Sequence, residues 1–164
     1  MFFEGAFDMK RILTATVMTV MVFLLAACGA QKNDLDTGYG LVRQGDCAGA
    51  QVYLDNTIAQ PRSAMDMAYA YFLKGRCAEQ ASDYETAYEN FYAAKVLVCY
   101  VVSTSTHVNL DTYARSEYCQ KIIPEKLEAL SAKIGDPAKV EAIKGRVNGI
   151  LRADYLKRFD KKPN

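Results

Sequence analysis

The sequence predicts an all-α fold, and three observations carry it. Residues 67–97, MAYAYFLKGRCAEQASDYETAYENFYAAKVL, place apolar side chains at helical spacing on both sides of a polar turn at residues 80–83, the pattern of two amphipathic helices. A weaker copy stands upstream, where Gly45, Asp46, Cys47, Ala50 and Leu54 repeat the order of Ser82, Asp83, Tyr84, Ala87 and Phe91 at an offset of 37 residues. Proline and glycine then punctuate the chain at Pro61, Pro124 and the run Gly135, Asp136, Pro137.

Taken in order, the chain opens with a leader. Lys10 and Arg11 precede an apolar run from Ile12 to Ala27 that is broken only by Thr14, Thr16 and Thr19, which is the layout of a secretory signal peptide. The run is shorter than the roughly 20 apolar residues a spanning helix needs, and no basic stop-transfer cluster follows it. Residues 1–8, MFFEGAFD, hold two acids ahead of the basic pair, so Met9 is the expected start. Leu25, Ala26, Ala27 and Cys28 resemble the bacterial lipobox, which implies cleavage before Cys28 and lipidation of its thiol. An uncleaved signal anchor, or secretory cleavage with Cys28 incidental, are the alternatives. Each buried methylene contributes about 0.8 kcal/mol, so two or three acyl chains would hold the protein at the membrane without spanning it. Gly29, in place of Asp, implies by the same resemblance sorting to the outer membrane, on its periplasmic face. The expected divisions are a signal peptide over 1–27, a lipidated tether over 28–33, two helical repeats over 34–103, and a divergent third hairpin with capping helices over 104–164.

The mature chain of 137 residues is long enough to bury a single core. Its charge is uneven: residues 28–120 hold 7 Lys and Arg against 11 Asp and Glu, whereas residues 121–164 hold 11 against 6. The basic stretch reads as a solvated helix face, or as a surface for anionic lipid or an acidic partner. No nucleic-acid motif accompanies it, and no nucleic acid is expected as a partner.

Residues 67–97 closely resemble the tetratricopeptide repeat, through Gly75, then Asp83 and Tyr84, then Ala87, Phe91 and Ala94. The resemblance implies an α-solenoid of helical hairpins. In it Gly75 and Ala87 let the two helices approach, Tyr84 wedges the start of the second, and Phe91 and Ala94 face the next repeat. Lys74 stands where the family prefers Leu, Ala78 where it prefers a large aromatic, and Cys99 where Pro often ends the repeat. Upstream, Pro61 ends a helix and Ser63 is the expected N-cap of the next. A further helix is expected from about Asn109 to Ile123, and Tyr155, Leu156 and Phe159 are expected to cover the last apolar face.

Four cysteines remain after lipidation, Cys47, Cys77, Cys99 and Cys119, an even number that suits disulfides in an oxidising compartment and allows three connectivities. No CxxC is present and His107 is the only histidine, so no redox or zinc motif is complete. The repeat resemblance implies that Cys47 bonds Cys77. It leaves Cys99 with Cys119, which would sit at opposite ends of an antiparallel pair. Either the connection over 101–110 folds back, or that pair stays reduced.

Scattered acids, an isolated His107 and the lack of any phosphate, dinucleotide or nucleophile motif give an enzyme no residues to work with, so neither catalysis nor a cofactor is expected. The resemblance implies instead a concave groove for a protein partner. Tyr39, Arg43, Leu35 and Val42 would come from the first repeat, and Tyr69, Phe72, Arg76, Glu79 and Gln80 from the second. The expectation is an outer-membrane lipoprotein scaffold in envelope, secretion or pilus complex assembly. The rival is a structural lipoprotein that binds cell-wall glycan or anionic lipid through its basic C-terminal helices, with Lys157, Arg158, Lys161 and Lys162 as the residues that matter.

Overall fold

The computed structural model describes residues 33–106 and 109–159, with side chains to Asp154. The leader with Cys28, His107, and the side chains of Tyr155, Leu156, Lys157, Arg158, Phe159, Lys161 and Lys162 lie outside the described residues. Helices α1 (Asp34–Arg43), α2 (Cys47–Ala59), α3 (Ala64–Gln80) and α4 (Tyr84–Thr104) lead to α5 (Leu110–Glu117), a π-turn (Tyr118–Ile122), α6 (Ile123–Ile134) and α7 (Pro137–Phe159). Because α5, the π-turn and α6 run on without a break, the described chain forms six helical rods packed in antiparallel pairs. Among the described residues no helix is long and apolar enough to cross a membrane.

Capping residues set the helix starts. Side chains of Asn33, Asp46, Ser63, Asp83 and Asn109 each accept a hydrogen bond from a backbone N–H in the first turn of α1 to α5, satisfying donors that the helix itself leaves open. Ser63 caps as the sequence predicts, and the helix expected from about Asn109 starts there, with Asn109 as its cap.

Turn hydrogen bonds of the first two hairpins recur at the 37-residue offset. Gln44 N–H donates to Gly40 O as Ala81 N–H does to Cys77 O, Gly45 to Val42 as Ser82 to Glu79, and Asp46 to Leu41 as Asp83 to Ala78. Gly45 (φ 83°) and Ser82 (φ 61°) occupy the same left-handed position in the two turns, and Ser82 is the only described non-glycine residue there. Close approach depends on two glycines. A Cβ at Gly38 would lie 2.7 Å from Leu54 Cδ2, and one at Gly75 would lie 3.0–3.1 Å from three Phe91 ring atoms. Gly75 therefore admits Phe91, where the sequence pattern pairs it with Ala87. Ala50 and Ala87, Leu54 and Phe91 are all buried beneath these contacts.

Two apolar clusters result, with α3 contributing to both. Ala70, Leu73 and Cys77 join Val42, Ala50 and Leu54, while Met67 joins Phe91, Ala94 and Val98 of α4 with Ile123, Leu127, Val140 and Val147 of α6 and α7. Lys74 reaches across to Asp55 of α2. Helix α6 runs antiparallel to α4, with Lys126 over the Phe91 ring and Lys133 over the Tyr84 ring. Helix α7 runs alongside α4 in the same direction, through Lys139 to Glu85, Arg146 to Glu89 and Asn148 to the Tyr92 hydroxyl. The charge imbalance of the sequence thus has an internal partner: Lys126, Lys139 and Arg146 of the basic stretch pair with Glu79, Glu85 and Glu89 of the acidic one. Such exposed pairs add little stability, and their value here is to set which helix faces which.

Both disulfides are present. Cys47 bonds Cys77 (Cα–Cα 5.5 Å) and Cys99 bonds Cys119 (Cα–Cα 5.1 Å). The second needs no fold-back of the connection. The helix expected to end at Ile123 continues to Ile134, so Cys119 lies in the first half of its rod and faces Cys99 one short loop away. Pro124 does not stop that rod. It lacks an N–H and its ring crowds the carbonyl four residues back, and the π-turn just before it, closed by Ile123 N–H to Tyr118 O, widens the backbone there.

Candidate functional site

A run of aromatic rings crosses the face shared by α1, α3 and the π-turn. Ring centroids step 5.9 Å from Tyr39 to Tyr69, 6.5 Å to Phe72 and 5.8 Å to Tyr118, and Phe72 also lies edge-on to Phe91 at 5.3 Å. Helical spacing explains the register. Tyr69 and Phe72 are three apart on α3, so they share a side of the helix, and the repeat sets Tyr39 of α1 beside them.

Below the rings α3, α4 and the α5–π-turn segment enclose an open cavity of about 330 Å³. Buried Ala68, Ala94, Val98 and Ile123 contribute to its lining, and Asp111, Ala114, Arg115 and Tyr118 form the far wall. Helix α5 has no buried residue, and Leu110 and Tyr113 are 88% and 73% exposed. Its position therefore depends on the Cys99–Cys119 bond and on the π-turn that follows. Burial raises the Tyr69 phenol above the ordinary tyrosine value, and the neighbouring Tyr39 and Tyr118 phenols add to the rise.

Of the residues the sequence singles out, Tyr39, Arg43, Tyr69, Phe72 and Arg76 come together. The Arg43 guanidinium stands 5.7 Å from the Tyr39 ring centroid, and Arg76 is exposed near enough to Tyr69 to influence its phenol. Three others are engaged elsewhere. Val42 is 3% exposed and belongs to the smaller core, Leu35 packs against that core, and Glu79 holds Lys126 at 2.7 Å. Gln80 is exposed at the end of α3. Phe72 has two roles, as groove lining and as part of the larger core. Sequence reading missed the whole opposite wall, Asp111, Ala114, Arg115 and Tyr118. Their spacing of three, one and three along one helix is the signal that would have found it.

A wider hollow of about 780 Å³ lies between α4, α6 and α7, over Tyr88, Leu127 and Val140, but it has no comparable run of rings. Among the described residues no group of three His, Cys, Asp or Glu is placed to hold a metal ion. Each resolved pKa shift moves its group away from neutrality. Tyr69 and Tyr88 rise first through burial, while Lys139, Lys144 and Arg146 rise first through hydrogen bonds to Glu85, Glu141 and Glu89. The site offers apolar rings, a cavity and guanidinium groups, which is binding chemistry. Comparison with protein-family models, with curated proteins and with solved structures returns no match.

Proposed function

We propose that this chain is a tetratricopeptide-type lipoprotein, anchored at Cys28 to the periplasmic face of the outer membrane. It works as an interaction scaffold in envelope, secretion or pilus complex assembly by holding a partner protein's segment in the aromatic groove. The observation that carries the reading is the continuous run Tyr39, Tyr69, Phe72 and Tyr118 beside an open, partly apolar cavity. Tyrosine and arginine are enriched at the energetic centres of protein interfaces, because they offer large area or charge-assisted hydrogen bonds at limited entropic cost. Support for the repeat type comes from the 37-residue periodicity of turns, caps and glycine contacts. Support for export comes from two disulfides in a short chain.

The test begins with intact-mass spectrometry of the protein purified from membranes, and continues with crosslinking in cells. A chain starting at a lipidated Cys28, with neighbours that vanish in Tyr39→Ala or Tyr69→Ala while the circular dichroism melt is unchanged, is the expected result. Retention of residues 9–27 without lipid overturns the anchor, and neighbours that persist in both variants overturn the groove.

A further inference from the structure

The charges around the groove are not neutral toward a ligand. Arg43 stands by the Tyr39 ring, Arg76 follows Tyr69 and Phe72 at seven- and four-residue spacing on the same side of α3, and Arg115 lines the cavity beside Tyr118. None of the three makes an ion pair among the described residues, although Lys126, Lys139 and Arg146 on neighbouring helices all do. Glu79 is held by Lys126, and Asp111 is the one carboxylate among the residues that line the cavity. Each unpaired arginine thus accompanies one member of the ring run.

From this placement we infer that the groove takes an extended acidic segment of a partner protein, with one aromatic or large apolar side chain entering the cavity and flanking carboxylates meeting Arg43, Arg76 and Arg115. The inference rests on the groove reading above and adds the chemistry of its occupant. Centroid steps of 5.9, 6.5 and 5.8 Å bound the run at the reach of about five extended residues at roughly 3.3 Å each. Arginine suits this task because its planar guanidinium binds a carboxylate through two parallel hydrogen bonds and is only weakly hydrated.

The probe is a pool of ten-residue peptides randomised around a central Phe with Asp or Glu at the flanking positions. It is compared by fluorescence anisotropy with a Lys-flanked pool and an acidic pool carrying Ala at the centre, each against the full chain in detergent. The acidic Phe pool should bind at least tenfold tighter than either other pool. It should lose about tenfold in the R43Q/R76Q/R115Q variant, since exposed pairs contribute modestly each, and weaken with added salt. Equal binding of the acidic and Lys-flanked Phe pools overturns the acidic occupant and leaves the groove standing. Equal binding of the two acidic pools overturns the aromatic anchor. No binding by any pool overturns the inference, and if crosslinked neighbours also survive Tyr69→Ala, the groove reading falls with it. The circular dichroism melt of the triple variant, expected to be unchanged because all three arginines lie at the surface of the groove, separates lost binding from lost folding.

Discussion

In the N-terminal half, Gly38 and Gly75 face Leu54 and Phe91 so closely that a Cβ would press on them, whereas Gly145 and Gly149 in α7 have nothing within 4 Å. The same residue type serves two modes of assembly. Hairpins α1–α2 and α3–α4 are joined by removing a side chain so that another can fill the space. Helices α5 to α7 join the hairpins with less of this backbone-level fit, through larger apolar residues such as Val140 and Val147, three long ion pairs and one disulfide. Close fit specifies a neighbour through shape, while charge and a covalent bond specify one through chemistry. The second mode leaves α5 free of buried residues, and the groove is open on that side.

The contrast breaks most sharply at Phe91, which is fully buried. Phe91→Ala should cost about 3–5 kcal/mol of unfolding free energy, and Gly75→Val about 1–3 kcal/mol, because the enclosed ring has nowhere to move. Urea denaturation followed by circular dichroism measures both. A change below about 1 kcal/mol in each would show that the hairpin fit is loose.

Removing a disulfide comes next. Loops of 30 and 20 residues give about 3–4 kcal/mol each in the chain-entropy model. The two should differ in where the loss appears. Cys47→Ser with Cys77→Ser should lower the urea midpoint of the whole domain, whereas Cys99→Ser with Cys119→Ser should first accelerate hydrogen exchange across residues 109–122. Uniform acceleration in both would erase the distinction between the two regions.

Smaller gains are expected where glycine is misplaced or missing. Gly145→Ala should stabilise by about 0.5–1 kcal/mol, since alanine favours helix and the space is open. Ser82→Gly should stabilise by up to about 1 kcal/mol by relieving a left-handed serine, as Gly45 already does in the first turn. Thermal melts of the single and double variants should add, because the sites do not share partners.

The smallest effect is at alkaline pH. Burial raises the Tyr69 and Tyr88 phenols above 10.0, so the folded state favours their neutral forms. That contribution is complete below the unfolded value and is lost as pH rises through the higher folded values. Tyrosine absorbance at about 295 nm should titrate late for two residues, and the urea midpoint should fall above about pH 10 by less in Tyr88→Phe.

What was legible in the sequence follows the same division. The offset between Gly45 and Ser82, the cap Ser63, the helix start near Asn109, and the ring pair Tyr69 and Phe72 were readable because each rests on local periodicity or local hydrogen bonding. The C-terminal half was less so. Pro124 reads as a stop, since no local pattern announces the π-turn that carries the helix past it, and misplacing that end put Cys119 at the wrong level relative to Cys99. Val42 lies on the edge of the face bearing Tyr39, and periodicity alone does not say which edge is core. The pairing of Glu79 with Lys126 was not legible, because the two are 47 residues apart in sequence.

The order of the two disulfides has a consequence for how the molecule is made. The first described cysteine bonds the second and the third bonds the fourth, so the loops follow one another without interlocking. In a chain made N-terminus first, each bond can close with the next cysteine to appear. Consecutive pairing of this kind needs no reshuffling, and Cys47 can join the first two hairpins through Cys77 before Cys119, beside the groove's far wall, is made.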